Sequence, residues 1–153
     1  MLPLNSILQA VKATVEARFP GELCHLNVVP TKFDRPAFLA ELVKTSLQDA
    51  NLGLLQMTVS IKVTAFVEVD AYYNSQVEDL ARRLTSLQEL FCGCAIQVED
   101  RHIHFGKSQG VIPGLDFAEC TIEATYMDQR PNSIEEWPLM KTVQTVVSAE
   151  PAS

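Results

Sequence analysis

Residues 55–69, L-Q-M-T-V-S-I-K-V-T-A-F-V-E-V, alternate between apolar and polar with hardly a break. Met57, Val59, Ile61, Val63, Ala65, Val67 and Val69 take one side. Thr58, Ser60, Lys62, Thr64 and Glu68 take the other, interrupted by Phe66. Successive side chains of a strand point to opposite faces, so a period of two held this long predicts a sheet with one face on a core. The other face turns to solvent or to a partner. Strands usually run about 3–10 residues, so this one is long. It is expected to pair with residues 37–46 in an extended hairpin joined by a 47–54 loop. Pro36 before the 37–46 run and Q-D-A-N after it favour a strand over a helix there.

Two segments carry the helical period instead. In 4–19, Leu4, Ile7, Leu8, Val11, Val15 and Phe19 recur at spacings of three and four, one stripe of a helix. Asn5 or Ser6 is expected to cap its start, and Pro20-Gly21 to end it. In 75–91, Ser75 followed by Glu78 reads as a capping box. Val77, Leu80, Ala81, Leu84, Leu87 and Phe91 form its apolar stripe, and Glu78 with Arg82 an exposed i,i+4 pair.

The rest is built of shorter pieces. Residues 23–29 read as a strand with Leu23 and His25 on one face and Cys24 and Leu26 on the other. A-I-Q-V at 95–98 and R-H-I-H-F-G-K at 101–107 read as strands about a tight E-D turn. K-S-Q-G-V-I-P-G reads as a loop. Residues 115–127 alternate again, Ala118, Cys120, Ile122, Ala124 and Tyr126 sharing a face. A helical turn near Ile134–Trp137 and a last strand near 141–147 complete the order α-β-β-β-α-β-β-β. The predicted class is α+β, an antiparallel or mixed sheet with two helices on one face. One domain is expected over 1–148, with a flexible tail at 149–153.

Composition fits a single globular core: 47% hydrophobic and 20% charged in 153 residues. A net charge of −7 argues against a broad nucleic-acid-binding face, which needs a basic patch. No run of 18 apolar residues and no positively charged leader appears, so a soluble protein with no membrane partner is expected.

The search for chemistry yields little. Cys24, Cys92, Cys94 and Cys120 include one close pair, C-G-C, tighter than the usual zinc spacing, and thiols in a reducing compartment are the simpler reading. His102 and His104 would share one face of a strand, with Glu99 and Asp100 nearby, but no further ligand or nucleophile converges on them in sequence. Dinucleotide, phosphate-loop, zinc-protease, nucleophile-elbow and deaminase patterns are absent. The expectation is therefore no enzyme, no cofactor and no metal. Apolar residues in turn-rich segments, Phe33, Ile112, Leu115, Trp137 and Leu139, serve either as plugs of the chain's own core or as interface anchors. The charged knot around Phe33, K-F-D-R-P, reads as a strand-entry device, since Pro36 steers Arg35 away from helix. Phe33 would fold back toward Phe19 or reach a neighbour. Lys32, Asp34 and Arg35 would stay wet or make rim contacts. The interface candidates are Phe33, Asp34, Arg35, His102, His104, Ile112, Trp137 and Leu139.

The order of segments resembles the tail terminator, or tail-completion, proteins of long-tailed bacteriophages, notably those of phages and prophages of Gram-positive bacteria. The resemblance runs over about 4–147. It rests on Ile7 to Phe19-Pro20, on Phe33-Asp34-Arg35-Pro36-Ala37-Phe38, on the long strand before the second helix, on Asp100 to Phe105, and on Leu139-Met140. Thr31-Lys32 stands where that family often has Gln-Gly, and Gln56 and Phe66 where it often has arginine and tyrosine. The resemblance implies a non-enzymatic virion protein at the head-proximal end of the tail, assembled in the host cytoplasm. It implies a homohexameric ring that binds tail tube protein, stops its polymerisation and meets the head–tail connector. DNA would pass through the channel without specific binding. A neighbouring neck adaptor is the alternative, and a ligand-binding or enzymatic α+β domain a more distant one.

Overall fold

A computed structural model describes residues 1–93, 95–131 and 146. The helical turn expected at Ile134–Trp137, the strand expected at 141–147, the 149–153 tail, Cys94, Trp137 and Leu139 lie outside the described residues.

The fold is α+β. Helix α1 spans Leu4–Arg18 and α2 Val77–Cys92. The strands are β1 Leu23–Leu26, β2 Ala37–Asp49, β3 Leu54–Phe66, β4 Ile96–Val98, β5 Arg101–Ile103, β6 Phe105–Val111 and β7 Ala118–Gln129, with a 3-10 turn at Pro113–Leu115. Five strands form one mixed sheet in the order β1-β2-β3-β7-β6, and β4 and β5 form a separate ribbon. β1 runs parallel to β2; the other pairs of the main sheet are antiparallel.

The expected hairpin forms, with β2 in register against β3 from Ala37↔Phe66 to Asp49↔Leu55. β2 extends three residues past the predicted Ser46, to Asp49, and β3 stops at Phe66. Beyond it Val69 makes an isolated bridge with Ser75. Val59, Ile61, Val63 and Ala65 of β3, Phe38 and Ala40 of β2 and Ala118, Cys120, Ile122 and Ala124 of β7 share one buried face. Ile7, Leu8, Val11 and Val15 of α1 and Leu80, Leu87 and Phe91 of α2 cover it. Removing each of the valine, leucine, isoleucine and phenylalanine side chains among them from water stabilises the fold by about 1.5–3 kcal/mol. Phe91 meets Phe105 edge-on at 5.8 Å, binding α2 to the β6 end of the sheet.

Several local expectations give way to tertiary partners. No side-chain cap starts either helix: α1 begins after Pro3, and α2 after Gln76. The Ser6 hydroxyl donates to Glu99, and the Ser75 hydroxyl to the Asp116 carbonyl. On α2, Val77 and Ala81 are exposed, so the buried stripe is narrower than predicted. Arg82 pairs with Asp79 instead of Glu78. The expected 101–107 strand divides at His104 into β5 and β6, which belong to different sheets, and the expected 107–114 loop is mostly strand β6. Gly110 allows this close seat: a Cβ there would lie 2.8 Å from Leu84 Cδ1 of α2.

Candidate functional site

The face of the sheet opposite the helices is polar and cross-linked. Lys62 lies 3.3 Å from both Glu41 of β2 and Glu119 of β7. These bonds outweigh the cost of partial burial and hold its pKa above the ordinary lysine value. One row along, the Ser60 hydroxyl donates to Glu123, and Thr58 and Thr125 share a hydroxyl bond at 3.0 Å. Three strands are thus tied by side chains as well as by the backbone ladder.

One end of this face carries the K-F-D-R-P knot. Phe33 lies against Phe66 with ring centroids 5.0 Å apart, and Phe66 against Phe117 at 6.0 Å. Phe33 therefore packs on the outer sheet face beside His25, while Phe19 packs on Phe38 from the helical side. The Arg35 guanidinium stands 5.4 Å from the centres of both Phe33 and Phe66 and donates to the Val67 carbonyl at 3.3 Å. Arg35 is thus half-buried by stacking, whereas Lys32 and Asp34 are exposed.

The same end holds the 67–76 loop. Asp70 accepts backbone N–H bonds from Tyr72 at 2.8 Å and Asn74 at 2.9 Å, and these hold its carboxyl below the usual aspartate value. This turn leaves Tyr72 and Tyr73 each 84% exposed. Beside them Val77 and Leu115 border a cleft of about 550 Å³ with Ser75 and Asp116. The tyrosine pair was not among the sequence candidates. Its signal is two adjacent aromatics in a stretch of turn formers between a strand and a helix.

At the opposite end, the β2–β3 turn presents Leu52, which is 82% exposed. Arg130 fastens this turn to the end of β7 by bonds to Asp49 and the Asn51 and Leu52 carbonyls. The two ends of one sheet thus each present apolar side chains to solvent.

The remaining candidates do not converge. His102 is exposed on β5 opposite Gln97, and His104 is exposed beyond the end of that strand. Ile112 is half-buried against the core. Among the described residues no three histidine, cysteine or acidic side chains gather as metal ligands would. Burial, aided by Glu16, pushes the Cys24 thiol up to about 11, and burial raises Cys120 as well. A thiol so shifted is a poor nucleophile at neutral pH.

No protein-family model matches the chain, and no curated protein matches it. One solved structure, known only by a sequence identifier, is 15% identical over 85% of this chain and 94% of its own, with a TM-score of 0.41. That likeness is too distant to carry a functional argument.

Proposed function

We propose that this chain is a non-enzymatic virion protein that forms a ring on the end of a phage tail tube. The ring ends tube polymerisation and offers a new surface to the head–tail connector. The resemblance over 4–147 is the ground for the class. The observation that best supports it here is the two-ended display of apolar side chains: Tyr72, Tyr73 and Leu115 at one end of the sheet, Leu52 at the other. A terminator must grip two different partners on opposite faces, and exposed aromatic and aliphatic anchors are the groups that supply binding energy at such contacts.

The mechanism is geometric. A heterologous contact repeated by rotation closes a ring, and a ring seated on the tube presents a surface that tube protein does not recognise. The net charge of −7 suits a channel through which DNA slides without adhering. No covalent step is required.

The test is electron microscopy of tube protein polymerised with and without this protein. Tubes of bounded length bearing a terminal ring are expected. Tubes that grow on unchecked despite excess protein would overturn the reading. Tyr73→Asp and Leu52→Asp separate the two grips. One substitution is expected to release tube-length control, and the other to spare it while abolishing connector joining.

A further inference from the structure

The tyrosine end of the sheet combines exposed apolar side chains with unanswered negative charge. Tyr72 and Tyr73 stand beside Val77 and Leu115, which are 43% and 58% exposed. Residues 67–79, V-E-V-D-A-Y-Y-N-S-Q-V-E-D, hold four acids and no lysine or arginine, and residues 112–117 add Asp116. Glu68, Asp70, Glu78 and Asp116 are exposed, and among the described residues none of them makes an ion pair. Elsewhere Glu22, Glu41, Glu119 and Asp128 each hold a lysine or arginine. The nearby guanidinium groups are committed: Arg35 stacks on Phe33 and Phe66, Arg82 pairs with Asp79, and Arg83 with Glu22. Lys32 is exposed in the knot and pairs with none of the four acids among the described residues. The patch is also preformed. The Tyr73 N–H donates to the Asp70 carbonyl and the Asp70 N–H to the Asn74 carbonyl, each at 3.0 Å. The Ser75 hydroxyl donates to the Asp116 carbonyl at 2.7 Å and ties the loop after β6 to the start of α2. Tyr73 and Asp116 thereby line one cleft with Val77 and Leu115. A surface fixed before binding has little ordering entropy left to lose.

We propose that this end docks a basic protein face, an apolar contact ringed by lysine and arginine, with one arginine entering the cleft lined by Tyr73 and Asp116. The inference rests on the reading above only in that a protein meets this end of the sheet. A guanidinium suits the cleft in each of its parts. The Tyr73 ring offers a π face to a cation. The Asp116 carboxylate offers two oxygens to a forked donor. Val77 and Leu115 offer apolar cover to the aliphatic stem. Around the cleft, Glu68, Asp70 and Glu78 await the counter-charges that this chain does not bring to them among the described residues. The same charges repel nucleic-acid phosphates and anionic lipid headgroups, which leaves a basic protein as the occupant.

Amide chemical shifts of the full chain, titrated with a capped peptide that alternates arginine and leucine, test the assignment without tube protein. Glutamate–leucine and arginine–serine peptides of the same length are the controls. The first peptide should move amides of 68–78 and 113–117 and leave the rest in place. The glutamate–leucine peptide should not bind, and the arginine–serine peptide should bind about tenfold more weakly. Asp116→Arg and Leu115→Ser should each weaken the first peptide by about tenfold or more. Both sites are exposed, so the folded circular dichroism spectrum should persist. Asp70 is left unaltered because its bonds hold the turn. Shifts that are absent, or spread over the whole acidic surface, overturn the assignment, as does equal binding of the glutamate–leucine peptide. Tube protein and connector protein are the second pair of probes, each titrated at about 0.05 and about 0.3 M salt. One of the two should bind about tenfold more weakly in the higher salt and to Asp116→Arg, and should ignore Leu52→Asp. If that partner's affinity ignores both salt and Asp116→Arg, the basic-partner assignment falls and the terminator reading stands. If the arginine–leucine peptide binds at this patch while neither protein binds and tubes grow unchecked, the terminator reading fails and the assignment stands.

Discussion

The Asp128 carboxylate has no solvent exposure. Burial alone would raise its pKa, yet the value lies below the ordinary aspartate range because several donors surround it. The Leu2 N–H lies at 2.6 Å, the Gln129 N–H at 2.8 Å and the Arg101 guanidinium at 3.0 Å. One side chain thus gathers the start of the chain, the β4–β5 ribbon and the end of β7. Asp128→Asn keeps an acceptor but removes the charge, so it should cost about 2–3 kcal/mol, read by urea unfolding near neutral pH. The pH dependence follows from the sign of the shift. A carboxyl held below its unfolded value, about 3.9, contributes stability that is present above that value. The contribution drains away as pH falls through the folded pKa. The unaltered chain should therefore lose stability more steeply below about pH 4 than Asp128→Asn does. Equal slopes would show that Asp128 is not ionised in the fold.

At the scale of elements, α2 is held to the rest of the molecule by Arg83 and by the seat of Leu84. The Arg83 guanidinium stands 5.6 Å from both the Phe19 and Phe38 rings and donates twice to Glu22, once at 2.7 Å. The Glu22 bonds, opposed by burial and helped by Asp79, raise its pKa. Arg83→Lys keeps the charge but cannot make the two-pronged bond or the stack, and should cost about 1–2 kcal/mol in denaturant unfolding. Arg83→Met leaves Glu22 and Asp79 unpaired, and should cost more than the lysine variant. Gly110→Ala pushes into Leu84 and should cost about 1–3 kcal/mol. Combined with Leu84→Ala, the pair should cost less than the sum of the two alone, since the clash is gone. These contacts mark where sequence patterning stops. The alternation of β3 and β7 and the α1 stripe were legible because each depends on a local period and one buried face. β6 was hidden, since Gly110, Pro113 and Gly114 read as loop signals while the strand is kept by β7 and by α2 above it. Ser6 and Ser75 looked like caps, but each hydroxyl has a partner far along the chain, and local spacing cannot reveal such a partner.

Across the whole molecule, one core spans the sheet from β1 to β7. The site was less legible than the core for the same reason: the Phe33–Arg35 knot showed in sequence, but its stack on Phe66 and the exposed tyrosine pair depend on where β3 ends. Continuity of the core has a measurable consequence. Cys24 on β1 and Cys120 on β7 are both buried in the same cluster, whereas Cys92 at the end of α2 is exposed. Burial also keeps the two inner thiols from ionising, so neither reacts without opening of the fold. With a thiol reagent at neutral pH and peptide-resolved mass spectrometry, Cys92 should label at once. Cys24 and Cys120 should label slowly and at one common rate, because a single cooperative opening exposes both. β1 is short, however, and joins the sheet through β2 alone. Labelling of Cys24 well ahead of Cys120 would show β1 and α1 opening as a separate unit, and the single-core description would then be wrong.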